Sequence, residues 1–368
     1  MKILLLTTHV NLGGIGIYVF SLAKGLVQEG HDVFVASCGG DLAAPLESFG
    51  ARHLKINIKT KSAISPKVFS CYRKVTQIIK DKNIEIIHAH TRVTQVLAHL
   101  VSKKSGIPYI TTCHGFFKPR LFRKVFPCWG DRCVAISEAV RTHLVNDLGV
   151  RKEKVCVVHN GVELERFFPD KFTQEQKEKF KQDYGLKEGP VIGTIARLSS
   201  VKGQQYLISA MKGILKSHPT AQLLLVGDGP EKERLVNQAK EEGIANKVFF
   251  ILSTLDTSVP LSIIDVFVFP SLMEGLGLAI IEAQAMGLAV VASDVGGIYS
   301  LVKDGVNGLL VRPKDPQGLA QAVHRLLRGK NLAKEFGQRA REQARKEFNL
   351  RQMVSGIEQA YKEVVSRK

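Results

Sequence analysis

Pro270-Ser-Leu-Met-Glu-Gly-Leu-Gly-Leu-Ala-Ile-Ile-Glu-Ala-Gln-Ala-Met-Gly287 carries a strand end, a glycine loop and a helix start in one short run. Ahead of it, Asp265-Val-Phe-Val-Phe-Pro270 reads as a short buried strand that proline stops. From Ala279 to Met286 the residues are helix formers, and Gly287 is placed as a helix stop. Between them, Gly275 and Gly277 form a tight loop in which the backbone can come close to a ligand. The helix that begins there aims N–H donors and the positive end of its dipole at an anion, typically phosphate. Glu274 in the loop and Glu282 about one turn into the helix bracket this anion site. A carboxylate touching a diphosphate would be repelled. The pair therefore makes more sense as acceptors for hydroxyl groups, a sugar on one side and a ribose on the other. Taken alone, the segment also fits a capped helix with solvated acids, so its neighbours must decide.

Working outward, the strand–loop–helix unit is one of many. Lys2–Thr8 is a strand, Asn11-Leu-Gly-Gly-Ile-Gly16 a glycine loop and Ile17–Glu29 a helix, followed by a strand over Gly30–Ser37. Strands at Arg52–Ile58, Ile84–His88, Pro108–Cys113, Arg132–Ile136 and Lys154–His159 alternate with helices at Pro66–Asp81, Thr91–Lys104 and Glu138–Leu148. A second series starts at Pro190–Ala196 and runs through helix Gln204–Ser217, strand Ala221–Val226, helix Glu231–Glu242, strand Lys247–Ile251, strand Asp265–Phe269 and strand Ala289–Ser293. After a strand at Gly308–Val311 the chain is helical to its end, including Leu350–Ser366. Such alternation predicts α/β architecture with parallel, doubly wound sheets whose ligand loops lie at the carboxyl edges. The repeat is architectural: two similar domains with a cleft between them.

The length of 368 residues fits two domains, and 45% hydrophobic with 23% charged residues is ordinary for a globular chain. No apolar run reaches the roughly 18–20 residues of a membrane span. The apolar core of Met1–His9 is too short for a signal peptide and reads as a buried strand. Six cysteines are scattered singly and complete no zinc site, which predicts reduced thiols in a cytoplasmic protein. Net charge is +18. Up to Glu165 there are 23 Lys/Arg against 12 Asp/Glu, so the excess is larger in the first half. Polyanions, anionic lipid and phosphorylated small molecules are the partners such a charge favours.

Gly13-Gly-Ile-Gly16, His114-Gly115, Asn160-Gly-Val162, Arg197 with Lys202-Gly203, Gly227-Asp-Gly-Pro230 and Glu274-x7-Glu282 occur in that order. Together they resemble the glycosyltransferase family 4 pattern, from about Lys2 to Tyr361. The resemblance implies the GT-B fold, two Rossmann-like domains facing a central cleft. Residues 1–163 would form the acceptor side, 164–349 the nucleotide-sugar-binding side, and a C-terminal helix over about 350–368 would pack back on the first domain. It implies a retaining transferase that uses a nucleoside diphosphate sugar and needs no metal or other cofactor. Arg197 and Lys202 would then neutralise the diphosphate leaving group, as fixed cations must where no metal ion does so. The donors of Gly275, Gly277 and Leu278 would add to them. Glu274 would hold sugar hydroxyls, Glu282 the ribose, His114 the sugar from the other domain, and Gly14 and Gly16 would let that domain approach the diphosphate. Two departures stand out: Leu276 where phenylalanine is frequent, and Ile251-Leu-Ser253 without the glycine often found after that strand. The second leaves open which nucleotide is used.

The segment from His114 to Trp129 carries four cations among Phe116, Phe117, Leu121, Phe122, Phe126 and Trp129. It fits either an interfacial contact with an anionic membrane, and hence a lipid-linked or lipopolysaccharide-type acceptor, or core aromatics beside a solvated basic face. His88 and His90 form no metal set for lack of a carboxylate or cysteine and instead line the acceptor side. An epimerase acting on a nucleotide sugar is the alternative within the same fold. A nucleic-acid binder would suit the charge but has no supporting signature, and the glycines at 13–16 match only part of a dinucleotide fingerprint.

Overall fold

The structure is a computed structural model that describes residues 1–60, 62–119, 123 and 125–366. The chain divides into two compact units, Met1–Gly161 with Leu350–Lys368, and Val162–Asn349.

In the first unit, β1 (Lys2–Leu6), β2 (Asp32–Ser37), β3 (Arg52–Lys55), β4 (Ile86–Ala89), β5 (Tyr109–Cys113), β6 (Arg132–Ala135) and β7 (Val155–Val157) form one sheet in the order 3-2-1-4-5-6-7. All its pairings are parallel, with Leu5 opposite Val35 on one side and His88 on the other. Strands covered by helices on both faces need continuous apolar runs, and Ile3–Leu6 and Val33–Ala36 are fully buried accordingly. The covering helices are α1 (Gly14–Gln28), the short α2 (Ala43–Glu47), α3 (Pro66–Lys82), α4 (Arg92–Ser105) and α5 (Glu138–Asn146). Each of α3, α4 and α5 starts where a Ser or Thr hydroxyl accepts from a first-turn N–H, at Ser65, Thr91 and Ser137.

In the second unit, α6 (Gln174–Asp183) precedes β8 (Val191–Ile195). It is followed by α7 (Gln204–Ser217), β9 (Gln222–Val226), α8 (Lys232–Glu241), β10 (Val248–Ile251) and α9 (Ser258–Ser262). Next come β11 (Val266–Phe269), α10 (Leu278–Ala285), β12 (Ala289–Ser293), β13 (Gly308–Val311), α11 (Pro316–Arg328) and α12 (Lys330–Glu347). The parallel sheet has the order 10-9-8-11-12-13. On α11, Leu319, Ala322, Val323 and Leu326 are buried at helical spacing behind an Asp315 cap and Pro316.

The last helix, α13 (Leu350–Val365), belongs to the first unit. Glu358 bonds His31 Nε2 at 2.7 Å, Tyr361 Oη lies 2.8 Å from His88 Nδ1, and Arg132 pairs with Glu363.

Two helix starts beside the glycine loops lie earlier than the sequence pattern predicts. Helix α1 begins at Gly14 rather than Ile17, so Gly14 and Gly16 lie in a first helical turn and not in a loop. Helix α10 begins at Leu278, one residue earlier than its apolar pattern indicates.

Candidate functional site

In each sheet the strand order reverses at one point: between β1 and β4 in the first unit, and between β8 and β11 in the second. Connections leave such a point in opposite directions and open a crevice at the carboxyl ends of its two strands. In the second unit the loop after β8 is Ala196–Gly203 and the loop after β11 is Pro270–Gly277, the two segments that carry the suspected donor residues.

These loops are bound to each other. Leu272 N donates to Val201 O at 2.8 Å, and Ser271 Oγ to the same carbonyl at 3.3 Å. Lys202 Nζ donates to the Glu274 carboxylate, and their side chains are 23% and 14% exposed, so the pair is largely desolvated. Lys202 also lies 5.2 Å from the centroid of the Phe269 ring. Arg197 sits at the other end of the same loop, exposed and without an ion pair among the described residues. Its backbone is held: Gln204 Nε2 donates to Arg197 O at 3.0 Å, and Leu198 N to Asp228 O at 2.9 Å. One cation is thus fixed and one is free to meet a ligand.

Gly277 caps α10 with φ 102°, a conformation that glycine adopts without penalty and other residues rarely do. It turns the chain so that Gly275 and Leu276 pass under the helix start, with Leu276 fully buried. The loop rests on Gly297. Gly297 N donates to Glu274 O at 2.9 Å, and a Cβ on Gly297 would lie 1.8 Å from Gly275 O. No side chain fits there, so Gly297 sets the height of the Glu274 backbone. Nothing in the sequence pointed to it except the Gly296-Gly297 pair after β12.

Glu282 lies one turn into α10 and accepts from Thr257 Oγ1 at 2.8 Å. Burial pushes its carboxyl up to about 7; the Thr257 bond and the charge of Arg166 act the other way. Arg166 itself donates to Leu255 O at 2.8 Å and faces Asp256 at 3.7 Å, while Lys171 bonds Ser258 Oγ at 2.6 Å. The chain after β10, where no glycine stands, is therefore pinned by a polar network beside Glu282. Thr257, Arg166 and Asp256 escaped the sequence reading because they lie far from Glu282 along the chain.

In the first unit, the carboxyl ends of β4 and β5 bring His88, His90 and His114 together. His88 is fully buried between Tyr361 Oη and Thr112 Oγ1, at 2.8 and 2.7 Å. His90 Nδ1 lies 3.4 Å from His114 Nε2, and its Nε2 is buried without a hydrogen-bond partner. Tyr18, one turn into α1, meets the His114 ring edge-on at 4.7 Å between centroids. Burial keeps all three imidazoles neutral, His114 down to about 3 and the others well below their ordinary range. A Cβ on Gly16 would lie 2.0 Å from Asn11 O, so this glycine lets α1 start against the loop after β1. Gly14 faces open space. Gly14, Gly16 and His114 belong to the first unit and Arg197, Lys202, Glu274, Gly275, Gly277, Leu278 and Glu282 to the second.

The aromatic side chains after His114 pack inward where they are described. Trp129 is buried, Phe126 packs against the core, and Arg123 lies over Phe117 and Trp129. Lys118 and Val125 are exposed. Arg120, Leu121, Phe122 and Lys124 lie outside the described residues. No helix among the described residues is long and apolar enough to cross a membrane.

Residues 12–166 match the family described as Glycosyltransferase Family 4, and residues 176–343 match Glycosyl transferases group 1. N-acetyl-alpha-D-glucosaminyl L-malate synthase of Bacillus anthracis is 26% identical, over 98% of this chain and 96% of its own length. UDP-Gal:alpha-D-GlcNAc-diphosphoundecaprenol alpha-1,3-galactosyltransferase of Escherichia coli is 28% identical over 79% of each. Among solved structures, Anabaena HepE in complex with UDP-glucose superposes with a TM-score of 0.88 at 24% identity, covering 99% of this chain and 100% of that one.

Proposed function

The chain belongs to glycosyltransferase family 4 and has the GT-B fold, and from that premise we propose that it is a retaining enzyme using a nucleoside diphosphate sugar, with UDP as the nucleotide. The Lys202–Glu274 pair, fixed beside the Gly277 helix start with Arg197 exposed at the end of the same loop, is the observation that carries this reading. As the glycosidic bond breaks, negative charge gathers on the diphosphate. Arg197, Lys202 and the N–H groups at Leu278 supply fixed positive charge for it, without a metal ion. Glu274, its backbone held by Gly297, takes the sugar hydroxyls, and Glu282 takes the ribose. Glu274, His114, Arg197 and Lys202 are the residues assigned to the reacting sugar and its leaving group. HepE binds UDP-glucose and the E. coli relative is named for a UDP-galactose donor, which supports a UDP-sugar here.

The acceptor in this reading is a glycan or a lipid-linked glycan of lipopolysaccharide, capsule or exopolysaccharide synthesis. The E. coli relative is named for a diphosphoundecaprenol-linked acceptor, which supports the lipid-linked form. Lys118, Pro119 and Val125 are exposed and, in this reading, available for a peripheral contact with an anionic membrane on its cytoplasmic face. An assay for release of UDP from UDP-sugars, with and without EDTA, tests the donor half of this function. UDP release that persists in EDTA is expected. Complete loss in EDTA, restored by Mg²⁺ or Mn²⁺, would overturn the electrostatic part.

A further inference from the structure

From Arg52 to Lys82 the chain carries nine Lys/Arg and a single acid, Asp81, a denser excess than anywhere around the donor residues. Part of it surrounds an open groove of about 380 Å³ in the first unit. His9 and Asn11 after β1, Cys38 after β2, Asn57 and Lys59 after β3, and Lys67 at the start of α3 line it. The groove therefore sits on the carboxyl edge of β1, β2 and β3, on the β2 side of the point between β1 and β4 where the strand order reverses. Its floor is tight: a Cβ on Gly40 would lie 2.2 Å from Asn11 Oδ1, and Val10 N donates to Gly39 O at 3.1 Å. Lys67 Nζ is drawn in by Lys59 O at 3.3 Å. Among the described residues neither Lys59 nor Lys67 makes an ion pair, and Asp41, the acid of the adjoining loop, accepts from Leu12 N at 3.0 Å. Two ammonium groups without a counter-ion, beside two side-chain amides, make a receptor for a compact anion.

We propose that this groove is the acceptor subsite and that Lys59 and Lys67 hold a phosphate group carried by the acceptor. The proposal rests on the reading of the chain as a transferase acting on glycan or lipid-linked acceptors, and it adds that the acceptor is phosphorylated. Asn11 and Asn57 offer amide donors to the remaining phosphate oxygens or to the neighbouring hydroxyls. The lysines are far along the chain from the donor residues and act on the acceptor alone.

Calorimetric titration of inorganic pyrophosphate into protein saturated with UDP tests this. The wild type binds about one equivalent at low salt, with affinity falling at least roughly tenfold in about 0.5 M salt. The double variant Lys59→Glu/Lys67→Glu loses that binding and Lys59→Arg/Lys67→Arg keeps it, while UDP affinity is equal in all three. Equal pyrophosphate binding by wild type and the Glu variant, or none by wild type, overturns the proposal. UDP serves as the separate control: no UDP binding by wild type defeats the donor assignment, whereas UDP binding without pyrophosphate binding defeats only the subsite. Sedimentation with phosphatidylcholine vesicles carrying phosphatidic acid separates the source of the phosphate. Pelleting lost in the Glu variant, with pyrophosphate titrating both proteins alike, would assign the lysines to a lipid surface and overturn the acceptor site.

Discussion

Lys202→Ala is expected to lower kcat/KM for the donor roughly 10- to 150-fold, the equivalent of one charge-assisted contact of about 1.5–3 kcal/mol. Arg197→Ala is expected to do the same. The two variants should part company in stability. Lys202 is three-quarters buried against Glu274, so its removal strands a desolvated carboxylate and lowers the melting temperature. Arg197 is exposed and makes no ion pair among the described residues, so its loss should leave the melting temperature unchanged. Donor kinetics and thermal melts on both proteins check this. Turnover near that of the wild type in both variants would remove the cations from the mechanism.

A steep loss of stability below about pH 6.5 is the second large effect. His88, His90 and His114 all have folded-state values depressed by burial. Below their ordinary value near 6.5 the unfolded chain takes up protons that the folded chain does not. Stability from these groups is therefore fully present above about pH 6.5 and falls as pH drops, each contributing about 1.4 kcal/mol per pH unit. Three together approach about 4 kcal/mol per unit, against a total of about 5–15 kcal/mol for a typical domain. Glu282 works in the opposite sense. Its carboxyl is raised to about 7, so its contribution is fully present below about pH 4.5 and is lost as pH rises through 7. The histidines lie in the first unit and Glu282 in the second, so acid should unfold the first unit first. Thermal melts across pH 8 to 5 with fluorescence of Trp129, the one tryptophan and a buried residue of the first unit, read this directly. A flat melting temperature from pH 7 to 5 would contradict it.

Much of the architecture was legible because its local signals agree. The ranges read for Gln204–Ser217, Ala289–Ser293 and Gly308–Val311 are those observed, and each is an unbroken apolar or amphipathic pattern between clear stops. The helix Ala43–Glu47 leaves no signal in the sequence: five residues around Pro45 are too few to show a period. Helix α1 begins three residues before its sequence pattern predicts, because Gly14 and Gly16 have the composition of a loop. A first helical turn, however, asks little of its side chains, and Gly16 is there for its fit against Asn11. The site was legible as a set of residue types, not as a geometry. That Lys202 pairs with Glu274, 72 positions away, follows only from the order of strands that puts β8 beside β11. The inward packing of Trp129 and Phe126 was equally hidden, since a basic aromatic segment has the same composition whether its rings face the core or a lipid surface.

Calorimetric titration of UDP into the wild type and into Glu282→Ala tests the central assignment, a donor site built by the loops after β8 and β11 and the start of α10. The account predicts one UDP per chain for the wild type, no response to NAD, and affinity at least roughly tenfold weaker in the variant, because a carboxylate–hydroxyl contact is worth about 1.5–3 kcal/mol. Equal UDP affinity in the two proteins, or a wild type that ignores UDP and binds NAD, would contradict it.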